Sequence, residues 1–106
     1  MKVDMAAQGS FEFALIQLKS QRAMTRAGWN GKGQFVYLVE ANQYEAQTGV
    51  AQMAFPRSRV PYDAYFALKN AQGSVSVWVP SVGDLLAQDW EEVDLVPIYE
   101  AALAES

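Results

Sequence analysis

Arg26, Trp29, Asn30, Gly31, Lys32 and Gly33 fall within one stretch of eight residues, with Arg22 just upstream and the apolar run Phe35 to Val39 just after. An indole offers a stacking face, an Asn side chain both donates and accepts on the edge of a base, and glycines let backbone N–H groups come close to oxygens. A basic, aromatic, Gly-rich corner of this kind suits an anionic, planar ligand. The same residues also fit a hairpin whose Trp29 is core and whose Asn-Gly and Lys-Gly pairs only shape the turn.

A second cluster runs from Trp78 to Glu92 and holds Ser81, Asp84, Asp89, Trp90 and Glu91. Asp84, Asp89 and Glu91 or Glu92 offer oxygen ligands for a divalent cation in a nucleotide hydrolase, although no spacing makes them converge. The plainer reading is structural: a helix cap at Ser81 and Asp84, the aspartates holding backbone N–H groups, and Leu85, Leu86 and Trp90 buried. Trp78 fits either a pocket or packing. Arg57 and Arg59 form a third candidate, two guanidinium groups on one face of an extended, proline-bracketed piece from Phe55 to Pro61, suited to a phosphate or simply solvated.

Composition narrows the chemistry. The chain has 106 residues, no Cys and no His, so a disulfide framework, a thiolate nucleophile, a Cys/His zinc site and an imidazole base are all excluded. Its length suits one domain over residues 1–106, with a flexible N-terminal tail over 1–9 and an acidic C-terminal extension over 94–106. The formal charge of −4 leaves no global field for DNA or RNA. Five of the eight basic residues nevertheless lie between Lys2 and Lys32, while Glu91 to Glu105 carries five acids and no base. No apolar run approaches membrane-spanning length and no signal-peptide core is visible, so a cytoplasmic location is expected.

The elements that must position these residues read as an α+β domain with a small antiparallel sheet. Ser10 caps an N-terminal amphipathic helix from Phe11 to about Ser20, with Phe11, Ala14, Leu15 and Leu18 inward. Phe35 to Glu40 reads as a strand, and Asn42 to Met53 as a long loop with a partial helix. Tyr62 to Asn70 and Ser74 to Val79 form a hairpin about Asn70-Ala71-Gln72-Gly73. Its second arm alternates, placing Val75, Val77 and Val79 on one face and Trp78 with two serines on the other. That pattern predicts that Trp78 lies off the core. Ser81 caps a short C-terminal helix to Leu86, a short strand ends near Val93, and Val96, Ile98, Tyr99, Ala102 and Leu103 are left for docking or oligomer contact.

Both clusters, in order and at similar spacing, make the chain resemble the small phage and prophage family of Thoeris anti-defence sponges. The resemblance rests on Arg26, Gly28, Trp29, Asn30, Gly31 and Lys32 in one half, and on Trp78, Val79, Pro80, Ser81, Asp84, Leu85, Leu86, Asp89 and Trp90 in the other, and covers about Phe11 to Val93. It implies a homo-oligomer, a dimer of dimers, that sequesters a cyclic nucleotide immune signal of the glycocyclic ADP-ribose type without cleaving it; some members are similar to sponges for cyclic dinucleotides of CBASS defence. It implies no cofactor and no metal. Carried over, Trp29 would stack on a base, Asn30 and the Gly31 to Gly33 backbone would meet polar ligand edges, and Arg26 or Lys32 would meet phosphates, with Trp78 and Asp84 as further candidate ligand-binding residues. Where family members commonly have a His and an Asp, this chain has Tyr65 and Ala67. A protein-binding or structural phage module with no nucleotide ligand is the alternative function.

Overall fold

The computed structural model describes residues 6–55 and 57–105. Helix α1 (Phe11–Lys19) starts where the Ser10 hydroxyl accepts the Phe13 N–H at 3.1 Å, an N-cap that satisfies one orphan donor. The strands are β1 (Met24–Arg26), β2 (Phe35–Val39), β3 (Asn42–Glu45), β4 (Arg59–Tyr62), β5 (Tyr65–Lys69), β6 (Val75–Trp78) and β7 (Trp90–Glu92). Three more helices are α2 (Gly49–Ala54), α3 (Val82–Leu86) and α4 (Val96–Ala104). The fold is α+β, as expected, and its main sheet has five antiparallel strands in the order β6-β5-β2-β1-β7. β3 and β4 pair separately.

Helix α1 covers one face of the main sheet. Between them lie Ala14, Leu18, Met24, Val36, Trp78 and Trp90, with Phe11, Phe13, Phe66 and Leu68 packed around the rim. The register explains this selection. Val36 lies opposite Met24 on one side and Leu68 on the other, and Leu38, Phe66 and Trp78 form the next row on the same face. The other face carries Phe35, Tyr37 and Val39 of β2, Ala67 of β5, and Val75 and Val77 of β6.

That register corrects the reading of the hairpin's second arm. Trp78 is core, packed under α1, whereas Val75, Val77 and Val79 are exposed, Val79 at 79%. β6 is an edge strand, and its valine face belongs to the side of the sheet that α1 does not cover, so clean alternation identified two faces but not the buried one. Leu85 and Leu86 are exposed as well, contrary to the expected burial, because only Asp84 of α3 turns inward.

The stretch read as a long loop holds β3 and α2, the latter capped by Thr48. Pro56 lies outside the described residues. Ser58 adopts φ +63°, which interrupts the extended run, so the alternation expected to put Arg57 and Arg59 on one face does not hold. The Arg59 guanidinium instead donates to the Gln43 carbonyl at 3.3 Å, across the β3–β4 pair. Of the tail expected over residues 1–9, residues 1–5 lie outside the described residues; Gly9 is buried, and its carbonyl accepts the Trp90 N–H at 2.9 Å. The acidic extension contains α4, every residue of which is exposed.

Candidate functional site

The two clusters meet in space because β1 lies between β2 and β7. Pairing of Arg26 with Trp90 brings the end of β1 beside the start of β7, and the turn that follows β1 crosses toward α3. Helix α3 is built on a capping box: the Ser81 hydroxyl accepts the Asp84 N–H at 3.0 Å, and the Asp84 carboxylate accepts the Ser81 N–H at 2.9 Å. The box fixes the Asp84 carboxylate at the point where Arg26 arrives.

Arg26 is shared by two carboxylates. Its Nη1 lies 2.9 Å from Asp84 Oδ1 and its Nε lies 2.9 Å from Asp89 Oδ1. The side chains of Arg26 and Asp84 are only 22% and 10% exposed. Asp89 also accepts the Gly28 N–H at 2.8 Å, and the Trp29 indole donates to Asp84 at 3.3 Å. The Trp90 indole donates to the Asp84 carbonyl at 2.9 Å. Two Asp residues therefore tie the turn after β1 to α3 and to the entry of β7.

Ionisation follows from these contacts. Hydrogen bonds to Asp89 and Asp84 raise the Arg26 pKa still further above its already high ordinary value. Burial opposes ionisation of Asp84, but the Ser81 backbone bond and the bonds from Arg26, the Ser81 hydroxyl and Trp29 outweigh it and hold the carboxyl below the ordinary Asp range. Asp89 is held low chiefly by its hydrogen bond from Arg26, against a smaller cost of burial.

All three tryptophans of the chain join this arrangement. Trp29 meets Trp90 edge-on at 5.3 Å and Trp78 at 6.3 Å between centroids, and Trp78 meets Trp90 at 6.0 Å. Edge-to-face packing of this kind adds to simple burial. Trp29 therefore serves the core on one side and remains half-buried on the other.

The candidate residues accordingly divide. Arg26, Trp29, Trp78 and Asp84 make the internal contacts just described, whereas Asn30, Gly31 and Lys32 are exposed. Among the described residues, Asn30 and Lys32 have no hydrogen-bond or ion-pair partner. Gly31 and Gly33 hold φ of +88° and +79°, a left-handed geometry that turns the chain from Trp29 into β2. A cavity of about 310 Å³ opens at this turn, lined by Arg26, Trp29, Gly31, Lys32, Gln34 and Glu91 among others. Trp78, Asp84 and Asn30 do not line it. Arg26 reaches this cavity already paired with Asp84 and Asp89, so among its lining residues Lys32 is the cation with no internal partner among the described residues, beside the acidic Glu91 and the indole of Trp29.

Asp84 and Asp89 do converge, but on Arg26, while Glu92 lies 3.3 Å from Arg22. Among the described residues, no three of the types that hold metals gather into one group. Tyr65 lines a second cavity of about 380 Å³ with Tyr44, Glu45, Gln47 and Tyr62, which sequence reading missed because β3 and β4 were not recognised as a pair. Ala67 is fully buried within the sheet.

Residues 9–93 match the Thoeris anti-defense 2-like domain. The chain is also 34% identical over 89 residues to Thoeris anti-defense 2 of Bacillus phage SP01, an alignment that covers 84% of this chain and 99% of that relative. Arg26, Trp29, Trp78, Asp84, Asp89 and Trp90 all fall within the matched residues, and α4 falls after them.

Proposed function

The chain belongs to the Thoeris anti-defense 2-like family, and on that premise we propose that it is a phage anti-defence protein that captures a cyclic nucleotide immune signal, of the glycocyclic ADP-ribose or cyclic dinucleotide type, and holds it intact. The observation that carries this reading is the left-handed Gly31–Gly33 turn over a cavity of about 310 Å³, with Lys32 free of any internal partner among the described residues and Trp29 at its edge. Lys32 supplies charge for a phosphate, the turn supplies backbone N–H groups, and Trp29 supplies aromatic surface. Capture needs no turnover, and the protein acts as a stoichiometric binder in the infected host cell. Homo-oligomerisation as a dimer of dimers would let each subunit contribute part of a pocket, and preorganised stacking with charge-assisted hydrogen bonds reaches nanomolar affinity without a large contact area.

Calorimetric titration with cyclic ADP-ribose isomers, ADP-ribose, and cyclic di- and trinucleotides tests the proposal. One cyclic nucleotide is expected to bind tightly and to be recovered unchanged, and Lys32→Glu is expected to weaken it at least tenfold. Recovery of a cleaved product would replace the sponge by an enzyme. No heat with any ligand would favour a protein-binding module, the reading supported by the exposed Val75, Val77 and Val79 face.

A further inference from the structure

Helix α4 is out of keeping with its surroundings. It has nine residues and no buried residue, its Leu95 N-cap makes no side-chain bond although the Asp94 carboxylate accepts the Val96 N–H at 3.0 Å, and Val96, Ile98, Tyr99 and Leu103 are all exposed. Isolated helices shorter than about 12–15 residues do not hold in water, since helicity in proteins comes mainly from packing of an apolar stripe. A helix this short and this apolar needs a surface to pack on. It also lies outside residues 9–93 that match the family domain, so it is an addition to the common fold.

The same chain offers a matching surface. On the sheet face that α1 leaves open, Phe35, Tyr37 and Val75 line a cavity of about 360 Å³ together with Arg22, about half exposed and paired with Glu92 at 3.3 Å, and Lys69, whose ammonium donates to the Gly33 carbonyl at 3.1 Å. Lys69 Nζ stands 5.4 Å from the Phe35 ring centroid. Around α4 the charge is opposite: Asp94 precedes it, Glu100 lies within it and Glu105 ends it. Leu95 forms part of the cavity wall, and no residue from 96 to 105 lines that cavity. Helix α4 therefore does not fill the cavity of its own chain. The radius of gyration of 16.8 Å exceeds the roughly 13 Å expected for a compact chain of this length, as projecting elements require.

From these features we infer that α4 of one copy docks in the Phe35–Tyr37–Val75 groove of a second copy, with Glu100 and Glu105 toward Arg22 and Lys69, and that a two-fold pair exchanges both helices. A second copy is the occupant because one surface carries the groove and its basic rim while the same chain carries the acidic, apolar helix, so an isologous pair satisfies both at once. The docking is independent of which ligand the protein binds.

The absence of cysteine makes a clean test possible. Two single-cysteine chains, Ile98→Cys and Val75→Cys, are mixed and oxidised without nucleotide, and a chain carrying both substitutions is oxidised in parallel. A disulfide-linked heterodimer from the mixture is expected. A crosslink confined within the doubly substituted monomer would instead assign the groove to the chain's own helix and overturn the exchange. Sedimentation of the full chain and of a chain ending at residue 93 gives a second readout. Removing the helix is expected to raise the self-dissociation constant at least tenfold, and Glu100→Lys to raise it about threefold at low salt. Equal masses for both chains across all concentrations, with circular dichroism confirming folded protein, would sink the proposal, as would failure of the mixture to crosslink.

Discussion

Asp84→Ala should cost stability rather than merely alter a binding surface. The substitution removes three things at once: the cap on the Ser81 N–H, the 2.9 Å contact with Arg26, and the 3.3 Å bond from the Trp29 indole. Loss of the reciprocal half of the capping box, with the Ser81 hydroxyl cap retained, costs up to about 1 kcal/mol. A hydrogen bond to a charged group is worth about 1.5–3 kcal/mol, and the low end applies because Arg26 retains Asp89 and is partly solvated. The indole bond is long and adds little. The sum is about 3 kcal/mol, equivalent to a fall in Tm on the order of 10–20 °C for a domain of this size. Urea denaturation of wild type and variant at pH 7, followed by tryptophan fluorescence and far-UV circular dichroism, measures it. A loss under about 1 kcal/mol with an unchanged m-value would refute the reasoning, because Asp84 would then be solvated and the Arg26 guanidinium free for another anion.

Gly28→Ala is expected to destabilise by about 1 kcal/mol, because an added Cβ would lie 2.8 Å from Asp89 Oδ2 and push that oxygen off the Gly28 N–H it accepts; an unchanged denaturation midpoint would show that Asp89 is not held there. Because the folded pKa values of Asp84 and Asp89 are depressed, their contribution is complete above the unfolded value and is lost as pH falls through the folded values. Stability should therefore decline below about pH 5, and in Asp84→Asn this decline should be shallower in an acid titration followed by circular dichroism. Met24→Ala is expected to cost about 2–5 kcal/mol, whereas Val79→Thr should change stability by less than about 0.5 kcal/mol. The reverse order in thermal melts would mean that the covered face of the sheet has been misassigned. Trp29→Ala should lower Tm as well as any nucleotide affinity, since the ring packs on Trp78 and Trp90. A variant that loses affinity at unchanged Tm would place the indole wholly in the ligand site.

What the sequence made legible was local. Ser10 and Ser81 announce their helices by a hydroxyl three residues before the N–H it caps, and the Asn70–Gly73 turn announces its hairpin. α2 and β3 were legible only as a weakly patterned stretch, because β3 is exposed along its whole length and so lacks an apolar stripe. The Trp78 error has a specific cause. Alternation says which residues share a face, but burial is decided by where α1 lies, and α1 sits on the face to which β6 contributes Trp78 rather than its valines. At the site, Arg26 and the two aspartates were each visible as candidates. Their convergence was not, because 58 and 63 residues separate Arg26 from Asp84 and Asp89, and no local period reports such a distance. The one usable hint was the pairing of a lone Arg beside a Trp with two Asp residues around a capped helix.

The position of β1 in the sheet has a consequence for how the chain reaches this state. β1 gains its second neighbour only from Trp90 to Glu92, more than sixty residues later, while β2, β5 and β6 close on one another through much shorter connections. Closing so long a loop is entropically costly, and its reward arrives late. On the ribosome, the strand that carries Arg26 must wait with one edge unpaired until nearly the whole domain has emerged. The three-strand half of the sheet can form early, and the tryptophan cluster, in which Trp90 must join Trp29 and Trp78, closes last.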